Sequence, residues 1–99
     1  MNQIDLHGKN AIITGGARGI GFATVERLLA SGANCCLWDH DDAALATAAQ
    51  KLNAPDRIQT VVVDRTDESQ VAAAALASRQ RCGSIDILVN NAGIAGVSK

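Results

Sequence analysis

The sequence predicts an α/β fold in which helices cover both faces of a doubly wound parallel sheet. Short apolar segments alternate with alanine-rich segments along the whole chain, which gives the element order βαβαβαβ. The apolar segments are continuous, as in strands that are buried on both faces. Strands that alternate with helices of this length form parallel sheets with right-handed crossovers, so we expect one such domain over residues 1–99.

The individual elements follow from local composition and from the residues that interrupt it. The predicted strands are short and mostly apolar: Asn10–Thr14, Asn34–Asp39, Ile58–Val63 and Ile85–Asn90. The predicted helices follow the first three strands: Ile20–Ser31, a second from Asp41 or Asp42 to about Leu52, and a third from Asp67 to about Gln80. Gly32 stands where the first helix needs a C-terminal cap, and aspartates can cap the N-termini of the other two.

Composition and charge exclude several classes of function. The formal net charge is -1 and no basic tract occurs, so the sequence predicts neither a nucleic-acid partner nor binding to a membrane surface. No apolar run approaches the roughly 20 residues that a transmembrane helix needs. The N-terminal residues lack the layout of a signal peptide, so a cytoplasmic location is the expectation.

The cysteines Cys35, Cys36 and Cys82 are expected to act as small hydrophobic residues. Their number is odd, and the sequence has no C-x-x-C pattern or Cys/His spacing, so it predicts no metal site and no redox pair. Cys35 and Cys36 are adjacent in a predicted strand, and we therefore expect them to point to opposite faces of the sheet.

A glycine-rich turn, Thr14-Gly-Gly-Ala-Arg-Gly-Ile-Gly21, connects the first strand to the first helix. A phosphate group needs backbone N–H donors at a helix N-terminus and a backbone bare enough to approach. Gly15 and Gly19 can provide the tight turn and the close approach, and Gly21 lets the helix pack closely on the strand. By itself such a turn could be an ordinary loop, but between a strand and a helix it predicts a dinucleotide site.

Polar residues end the other strands at the same predicted edge of the sheet. Asp39, about 20 residues beyond the glycines, is placed to accept hydrogen bonds from an adenosine ribose. The alternative is that it only caps the next helix. Asp64 could accept a hydrogen bond from an adenine amino group. Asn90 either contacts the ligand or satisfies backbone groups and holds neighbouring strands in register.

Two motifs in this chain resemble those of the short-chain dehydrogenases/reductases. Residues 14–21 match the TGxxxGxG pattern of that family, and Asp86-Ile-Leu-Val-Asn-Asn-Ala-Gly93 matches its strand followed by NNAG. The related epimerase-like branch usually has glycine where this chain has Arg18. The resemblance covers essentially the whole chain and implies a Rossmann-type sheet with the strand order 3-2-1-4.

The resemblance also implies which residues bind a nicotinamide dinucleotide. Those on the pyrophosphate and adenosine-ribose side are Gly15, Ala17, Arg18, Gly19, Ile20 and Gly21. Those expected at the ribose and adenine are Asp39, Asp64 and Arg65, the last at a position where the family often has an apolar residue. Those expected along the rest of the cofactor are Asn91, Ala92 and Gly93. NAD is the expected cofactor rather than NADP, because Asp39 would oppose a 2′-phosphate.

The catalytic residues of that family lie beyond NNAG. They are a tyrosine, a lysine four residues later, a serine and an asparagine, and this chain contains no tyrosine. We therefore expect a truncated, cofactor-binding half of an oxidoreductase that acts on alcohols or ketones, without catalytic residues and inactive by itself. Two alternatives stay open: a non-catalytic nucleotide-binding module, and an inert product that self-associates through an exposed sheet edge.

Overall fold

The computed structural model of the chain describes residues 5–64 and 66–90. The described residues form the strands β1 (Asn10–Thr14), β2 (Asn34–Asp39), β3 (Ile58–Val62) and β4 (Ile87–Asn90). The helices that connect them are α1 (Gly19–Ala30), α2 (Asp42–Leu52) and α3 (Glu68–Cys82). All strands are parallel and lie in the order β3-β2-β1-β4, which confirms the predicted Rossmann-type sheet and its strand order.

The strand register brings the carboxyl ends of the strands to one edge of the sheet. Thr14, at the end of β1, pairs with Trp38 on one side and with Asn90 on the other. Asp39, at the end of β2, pairs with Val62 of β3. Open α/β sheets bind their ligands at this edge, near the point where the strand order reverses.

Buried side chains form one cluster on each face of the sheet. The strand residues that define the first face are Ala11, Ile13, Cys35 and Leu37, and those that define the second face are Ile12, Cys36 and Trp38. On the first face the cluster includes Val25 of α1 and Leu45 of α2. On the second face it includes Ala74 of α3. The helices therefore cover both faces of the sheet, as predicted for a doubly wound fold.

Cys35 and Cys36 do point to opposite faces of the sheet, and both are buried. Burial raises the pKa of the Cys35 thiol to about 11, and the nearby Arg57 guanidinium opposes that shift in part. The thiol therefore stays protonated near neutral pH, where only the thiolate form is a nucleophile or a metal ligand. Nothing is described of the Cys82 side chain.

Gly32 ends α1 in the way the sequence predicts. Its φ of 101° is one that glycine adopts without strain. The Gly32 N–H donates to the Leu29 carbonyl, and the Ala33 N–H donates to the Leu28 carbonyl, both at 3.0 Å. This pair of bonds is the Schellman motif, which satisfies carbonyls that would otherwise lack partners at the end of the helix.

Aspartates cap the N-termini of the other two helices. Asp41, and not Asp42, caps α2, because its Oδ1 accepts a hydrogen bond from the Ala44 N–H at 3.0 Å. Asp67 caps α3 as predicted, and its carboxylate accepts from the N–H groups of Ser69 and Gln70. The hydrogen bond from the Ser69 hydroxyl, followed by that from the Gln70 N–H, holds the pKa of Asp67 below its ordinary value of 3.8.

The start of β4 differs from the prediction. The strand begins at Ile87 rather than Ile85, and Asp86 is the reason. Its N–H donates to the Asn10 carbonyl, while its Oδ2 accepts from the Asn10 N–H, each at 2.9 Å. Because a side-chain oxygen takes the place of a backbone acceptor, the regular ladder between β1 and β4 starts at Ile87, two residues after the predicted start.

Strands β1 and β2 have the predicted bounds, and a few other bounds differ from the predicted ones by one or two residues. Helix α1 begins at Gly19 and leaves Ser31 as its C-terminal cap residue, β3 stops at Val62, and α3 continues to Cys82 before Gly83 ends it. Such shifts are usual at frayed ends. Among the described helices, none is long and apolar enough to cross a membrane.

Candidate functional site

A cavity of about 220 Å³ opens at the carboxyl ends of β1, β2 and β3. We call it the strand-end cavity, and its lining residues are Thr14, Gly15, Trp38, Asp39, His40, Val63, Asp64 and Thr66. Gly15, Asp39 and Asp64 are predicted site residues from three separate strand ends, and the fold brings them together here. The lining is mixed, with an apolar wall from Trp38 and Val63 and acceptors from the aspartates.

The glycines of the turn after β1 meet two different structural demands. Gly15 and Gly19 have φ angles of 66° and 62°, a region that residues with a Cβ rarely adopt. Gly21 is needed for close packing, because a Cβ built on it would overlap the Gly15 carbonyl oxygen. The predicted roles of a tight turn and a close helix–strand approach are thus both present.

A backbone carbonyl of β2 fixes the start of this turn. The Trp38 carbonyl accepts from the Gly15 N–H at 2.7 Å and from the Gly16 N–H at 3.3 Å. These two amides are therefore engaged inside the protein. Gly15 can offer a ligand its bare backbone, whereas the N–H donors for a phosphate must come from residues further along the turn.

The N-terminus of α1 supplies those donors. The first helical hydrogen bond runs from the Phe22 N–H to the Arg18 carbonyl at 3.4 Å. Helical geometry leaves the amides of Gly19, Ile20 and Gly21 without an acceptor inside the helix. Arg18 occupies the N-cap position in an extended conformation, and its side chain makes no capping bond. The helix dipole adds positive potential at the same place, which favours an anion.

Asp39 is buried at the end of β2, with 7% of its surface exposed. Its Oδ1 accepts from the Asp41 N–H at 3.2 Å and lies 3.3 Å from Nδ1 of His40. Because Asp41 caps α2, the alternative in which Asp39 serves as that cap is not what the fold uses. Among the residues that the structure describes, Oδ2 of Asp39 has no hydrogen-bond partner, so it can accept from a ligand.

Asp64 is held in place by hydrogen bonds within the turn that follows β3 and by a bond to α3. Its Oδ1 accepts from the Thr66 N–H at 2.9 Å and from the Thr66 hydroxyl at 2.6 Å. The Asp64 N–H donates to Oε1 of Gln70 in α3 at 2.8 Å. These bonds hold the exposed carboxylate at the rim of the strand-end cavity. The predicted site residues Arg65, Asn91, Ala92 and Gly93 lie outside the described part of the chain.

Asn90 joins β4 to β1. The Thr14 hydroxyl donates to Oδ1 of Asn90 at 3.0 Å, and the same hydroxyl lies 3.4 Å from the Val89 carbonyl. Of the two readings that the sequence allows, a contact that holds the neighbouring strands together is the one present. Thr14 itself also lines the strand-end cavity.

A buried polar contact behind the strand-end cavity was not predicted. The Trp38 indole N–H donates to the Ser78 hydroxyl at 3.2 Å, and that hydroxyl lies 3.4 Å from Sγ of Cys36. Ser78 is completely buried in α3. Its position four residues after Ala74, which is also buried, is the sequence signal that could have placed it on the inner face of the helix.

Side-chain charges flank the glycine turn on the α2 side. Nη1 of Arg18 lies 3.9 Å from Oδ2 of Asp41, and 60% of the Arg18 side chain is exposed. No group of three or more possible metal ligands occurs within residues 5–64 and 66–90. The described chemistry is thus that of backbone donors beside carboxylate acceptors, an arrangement that suits a phosphorylated nucleoside.

Comparison with known proteins agrees with this arrangement. A sequence profile of the short chain dehydrogenase family matches residues 9–99. The 3beta-hydroxysteroid dehydrogenase 2 of Eggerthella lenta is 42% identical over 90 residues, which cover 90% of this chain and 35% of that protein. The 2-dehydro-3-deoxy-L-rhamnonate dehydrogenase (NAD(+)) of a Sphingomonas species is 40% identical over 91 residues, which cover 92% and 35%.

Solved structures are similar in the same region. A short-chain dehydrogenase/reductase of the glucose/ribitol dehydrogenase type from Brucella melitensis superposes with a TM-score of 0.83 at 32% identity, over 88% of this chain and 37% of that one. A 3-ketoacyl-(acyl-carrier-protein) reductase from the same organism, complexed with NADH, gives 0.79 at 33% identity, over 85% and 34%. The N-domain of a bacterial malonyl-CoA reductase with NADP gives 0.82 at 37% identity, over 87% and 17%.

The chain spans about a third of the length of the curated relatives it matches, 35% in both proteins named above. The match nevertheless runs through both sequence motifs and through every strand and helix described. The matched region contains the glycine turn, the acidic residue at the end of β2 and all strands of the described sheet. This chain therefore belongs to the short-chain dehydrogenase family.

Proposed function

We propose that the chain binds the adenosine and pyrophosphate part of NAD(H) and is the cofactor-binding part of a dehydrogenase or reductase. The observation that carries the proposal is Asp39, a buried carboxylate whose Oδ2 has no hydrogen-bond partner among the described residues and which lines a cavity that adjoins the glycine turn. Bound NAD(H) would supply or accept a hydride. The described residues bind and orient the other end of that cofactor.

The phosphate contacts in this proposal belong to the turn. The amides of Gly19, Ile20 and Gly21 donate to the pyrophosphate, with Ala17 and Arg18 beside them. Gly15 lets the phosphate approach because it has no side chain. Dinucleotides bind in this way at the first glycine turn of Rossmann-type sheets.

The adenosine contacts belong to the strand-end cavity. Asp39 accepts from the ribose hydroxyls, and Asp64 accepts from the adenine amino group. By resemblance to the family, Arg65, Asn91, Ala92 and Gly93 are proposed as further cofactor-binding residues. Trp38 and Val63 are the large apolar residues among those that line this cavity.

The preference for NAD over NADP rests on charge. A 2′-phosphate would lie against the Asp39 carboxylate, and like charges a few Å apart repel by about 1–4 kcal/mol at intermediate to high effective dielectric. When it is protonated, His40 offsets this weakly, because its ring is exposed and contacts the same carboxylate. A relative that is named for NAD(+) and structures that contain NADH or NADP show that both cofactors occur among similar proteins.

Titration of NAD⁺ and NADP⁺ tests the proposal directly. By calorimetry the 99-residue chain should bind NAD⁺ more tightly, and Asp39→Ser should narrow or reverse the difference. Asp56→Ser is the matched control, since it removes the same charge from an exposed turn before β3. Equal binding of both cofactors that Asp39→Ser leaves unchanged would show that Asp39 does not contact the ribose.

We further propose that the 99-residue chain does not catalyse hydride transfer by itself. General acid–base catalysis contributes about 10²–10⁴-fold, and the tyrosine that provides it in this family has no counterpart here, because the chain contains no tyrosine. Steady-state assays with both cofactors and a panel of alcohols and ketones are the measurement. Catalytic activity that stays proportional to the amount of this chain through successive purification steps would refute the proposal that the chain is inactive.

A further inference from the structure

One acidic side chain, Asp41, has two partners on opposite sides. Its Oδ1 accepts from the Ala44 N–H at 3.0 Å and so caps α2. Its Oδ2 lies 3.9 Å from Nη1 of Arg18, the residue at the N-cap of α1. The pair links the glycine turn to the start of α2, and both side chains are partly exposed, 60% for Arg18 and 39% for Asp41.

In the structure the Arg18 side chain lies on the α2 side of the turn. Arg18 lines a small groove of about 160 Å³ between α1 and α2, together with Thr47 and Lys51. In the part of the chain that the structure describes, Arg18 is not among the residues that line the strand-end cavity. The Arg18 side chain therefore contacts the start of α2 and lines the groove beside it rather than the strand-end cavity.

We propose that Asp41 is a specificity-determining residue that holds the Arg18 guanidinium outside the strand-end cavity. This inference rests on the proposed binding of a dinucleotide. A 2′-phosphate is a strong partner for a guanidinium group, so a released Arg18 would offset the repulsion from Asp39. While Asp41 engages Arg18, NADP lacks that partner. Asp39 thus opposes the 2′-phosphate directly, and Asp41 opposes it by competing for the cation.

The expected effect is modest because the pair is exposed. Ion pairs at protein surfaces contribute little, and dissolved salt weakens them further. Release of Arg18 should therefore raise the affinity for NADP⁺ by about two- to fivefold at low ionic strength. The affinity for NAD⁺ should rise less than that for NADP⁺, because NAD⁺ has only a hydroxyl at the 2′ position and offers Arg18 no charge there.

Asp41→Asn is the decisive variant, because asparagine caps helices about as well as aspartate. It removes the charge opposite Arg18 and keeps the acceptor for the Ala44 N–H. Asp42→Asn is the matched control, since it removes one negative charge at the next residue, which is exposed in the first turn of α2. A long-range charge effect would change NADP⁺ binding equally in both variants, whereas release of Arg18 requires Asp41.

A second background tests whether Asp41 acts through Arg18. In an Arg18→Gln chain, Asp41→Asn should no longer change the ratio of the NADP⁺ and NAD⁺ dissociation constants. In the wild-type background the change in that ratio should shrink as the salt concentration rises. Circular dichroism and denaturant unfolding of each variant establish that the fold and the α2 cap are retained.

The outcomes separate the inference from the proposed function. If NAD⁺ binds and Asp41→Asn lowers the NADP⁺/NAD⁺ ratio of dissociation constants only when Arg18 is present, the inference holds. A ratio that is unchanged by Asp41→Asn, changed equally by Asp42→Asn, or changed equally without Arg18 overturns the inference alone. If neither dinucleotide binds to any variant, the proposed function fails and the inference fails with it.

Discussion

The two faces of the sheet are covered in different ways. On the first face α1 and α2 pack apolar side chains against β1 and β2, and Val25 and Leu45 are buried there to within 1%. On the second face α3 is the helix that contributes to the core within the described residues, and its most buried side chain is the polar Ser78. Leu88 of β4 pairs in register with Ile12 of this face and is 66% exposed.

The two faces therefore differ in the interactions that stabilise them. The first face gains its stability from apolar burial, which is large and insensitive to the direction of contact. The second face gains part of its stability from a hydrogen bond that fixes the indole of Trp38, and it leaves apolar surface on β4 uncovered in the described residues. The strand-end cavity is lined by Gly15, from the turn that precedes α1 of the first face, and by Trp38, whose side chain belongs to the second face.

The largest expected effect is on the first face. Leu45→Ala should lower the free energy of unfolding by about 2–5 kcal/mol, because it leaves a cavity where a leucine is fully buried. Leu76→Ala, on an exposed part of α3, is the matched control and should change it by less than about 1 kcal/mol. Denaturant unfolding measures both. Similar losses for the two variants would mean that the first face is not the main core.

The second face should respond to a polar deletion. Ser78→Ala removes the acceptor of the Trp38 indole N–H and should lower the free energy of unfolding by about 1–3 kcal/mol. Because the chain has one tryptophan, its emission spectrum should shift in the same variant. Ser84 is an exposed serine after α3, so Ser84→Ala should change neither the free energy of unfolding nor the emission spectrum. An unchanged spectrum and an unchanged stability in Ser78→Ala would show that the contact does not form in solution.

The uncovered part of the second face predicts self-association of the 99-residue chain. In the described sheet β4 is an edge strand, and unpaired backbone beside an exposed apolar side chain favours pairing with another chain. Leu88→Lys should shift the chain toward monomer in sedimentation velocity. Val62→Lys, at the opposite edge strand β3, is the control because Val62 is also exposed. A wild-type chain that is monomeric at all concentrations would contradict the prediction.

The smallest expected effect is a pH dependence on the first face. The pKa of Cys35 is raised by burial from 9.0 to about 11, so the folded state retains a proton that the unfolded state loses. The associated stability is fully present below pH 9 and is lost as the pH rises toward 11. Cys35→Ala should flatten the decline in unfolding free energy over this range, and Cys36→Ala provides the comparison on the second face. If the unfolding free energy of Cys35→Ala falls with pH as steeply as that of the wild type, the Cys35 thiol is not the source of the pH dependence.

Local signals in the sequence predicted most of the fold. The glycine turn, the Gly32 cap and the apolar strands each depend on neighbouring residues, and the structure has them where they were expected. The choice between Asp41 and Asp42 could not be made from the sequence, because aspartate caps equally well at either position. The outcome depended on how the chain leaves β2, where the Asp41 N–H is bound by Asp39.

Contacts between distant residues were the ones that the sequence did not reveal. The bond between the Asn10 N–H and Asp86, which shortens β4, joins residues 76 positions apart. The bond between Trp38 and Ser78 spans 40 positions, and α3 is so rich in alanine that its inner face is hard to identify. Both contacts involve polar side chains whose partners are set by the packing of the sheet. Sequence periodicity carries no information about such pairs.

The shared Trp38 carbonyl has a consequence for the thermodynamics of ligand binding. By accepting from both Gly15 and Gly16, it fixes two residues that have more backbone freedom than any other type in an unfolded chain. The conformational entropy of this part of the turn is therefore lost on folding and not when an anion arrives. Such preorganisation leaves more of the interaction energy as affinity, and it predicts that nucleotide binding changes the hydrogen exchange of these two amides very little.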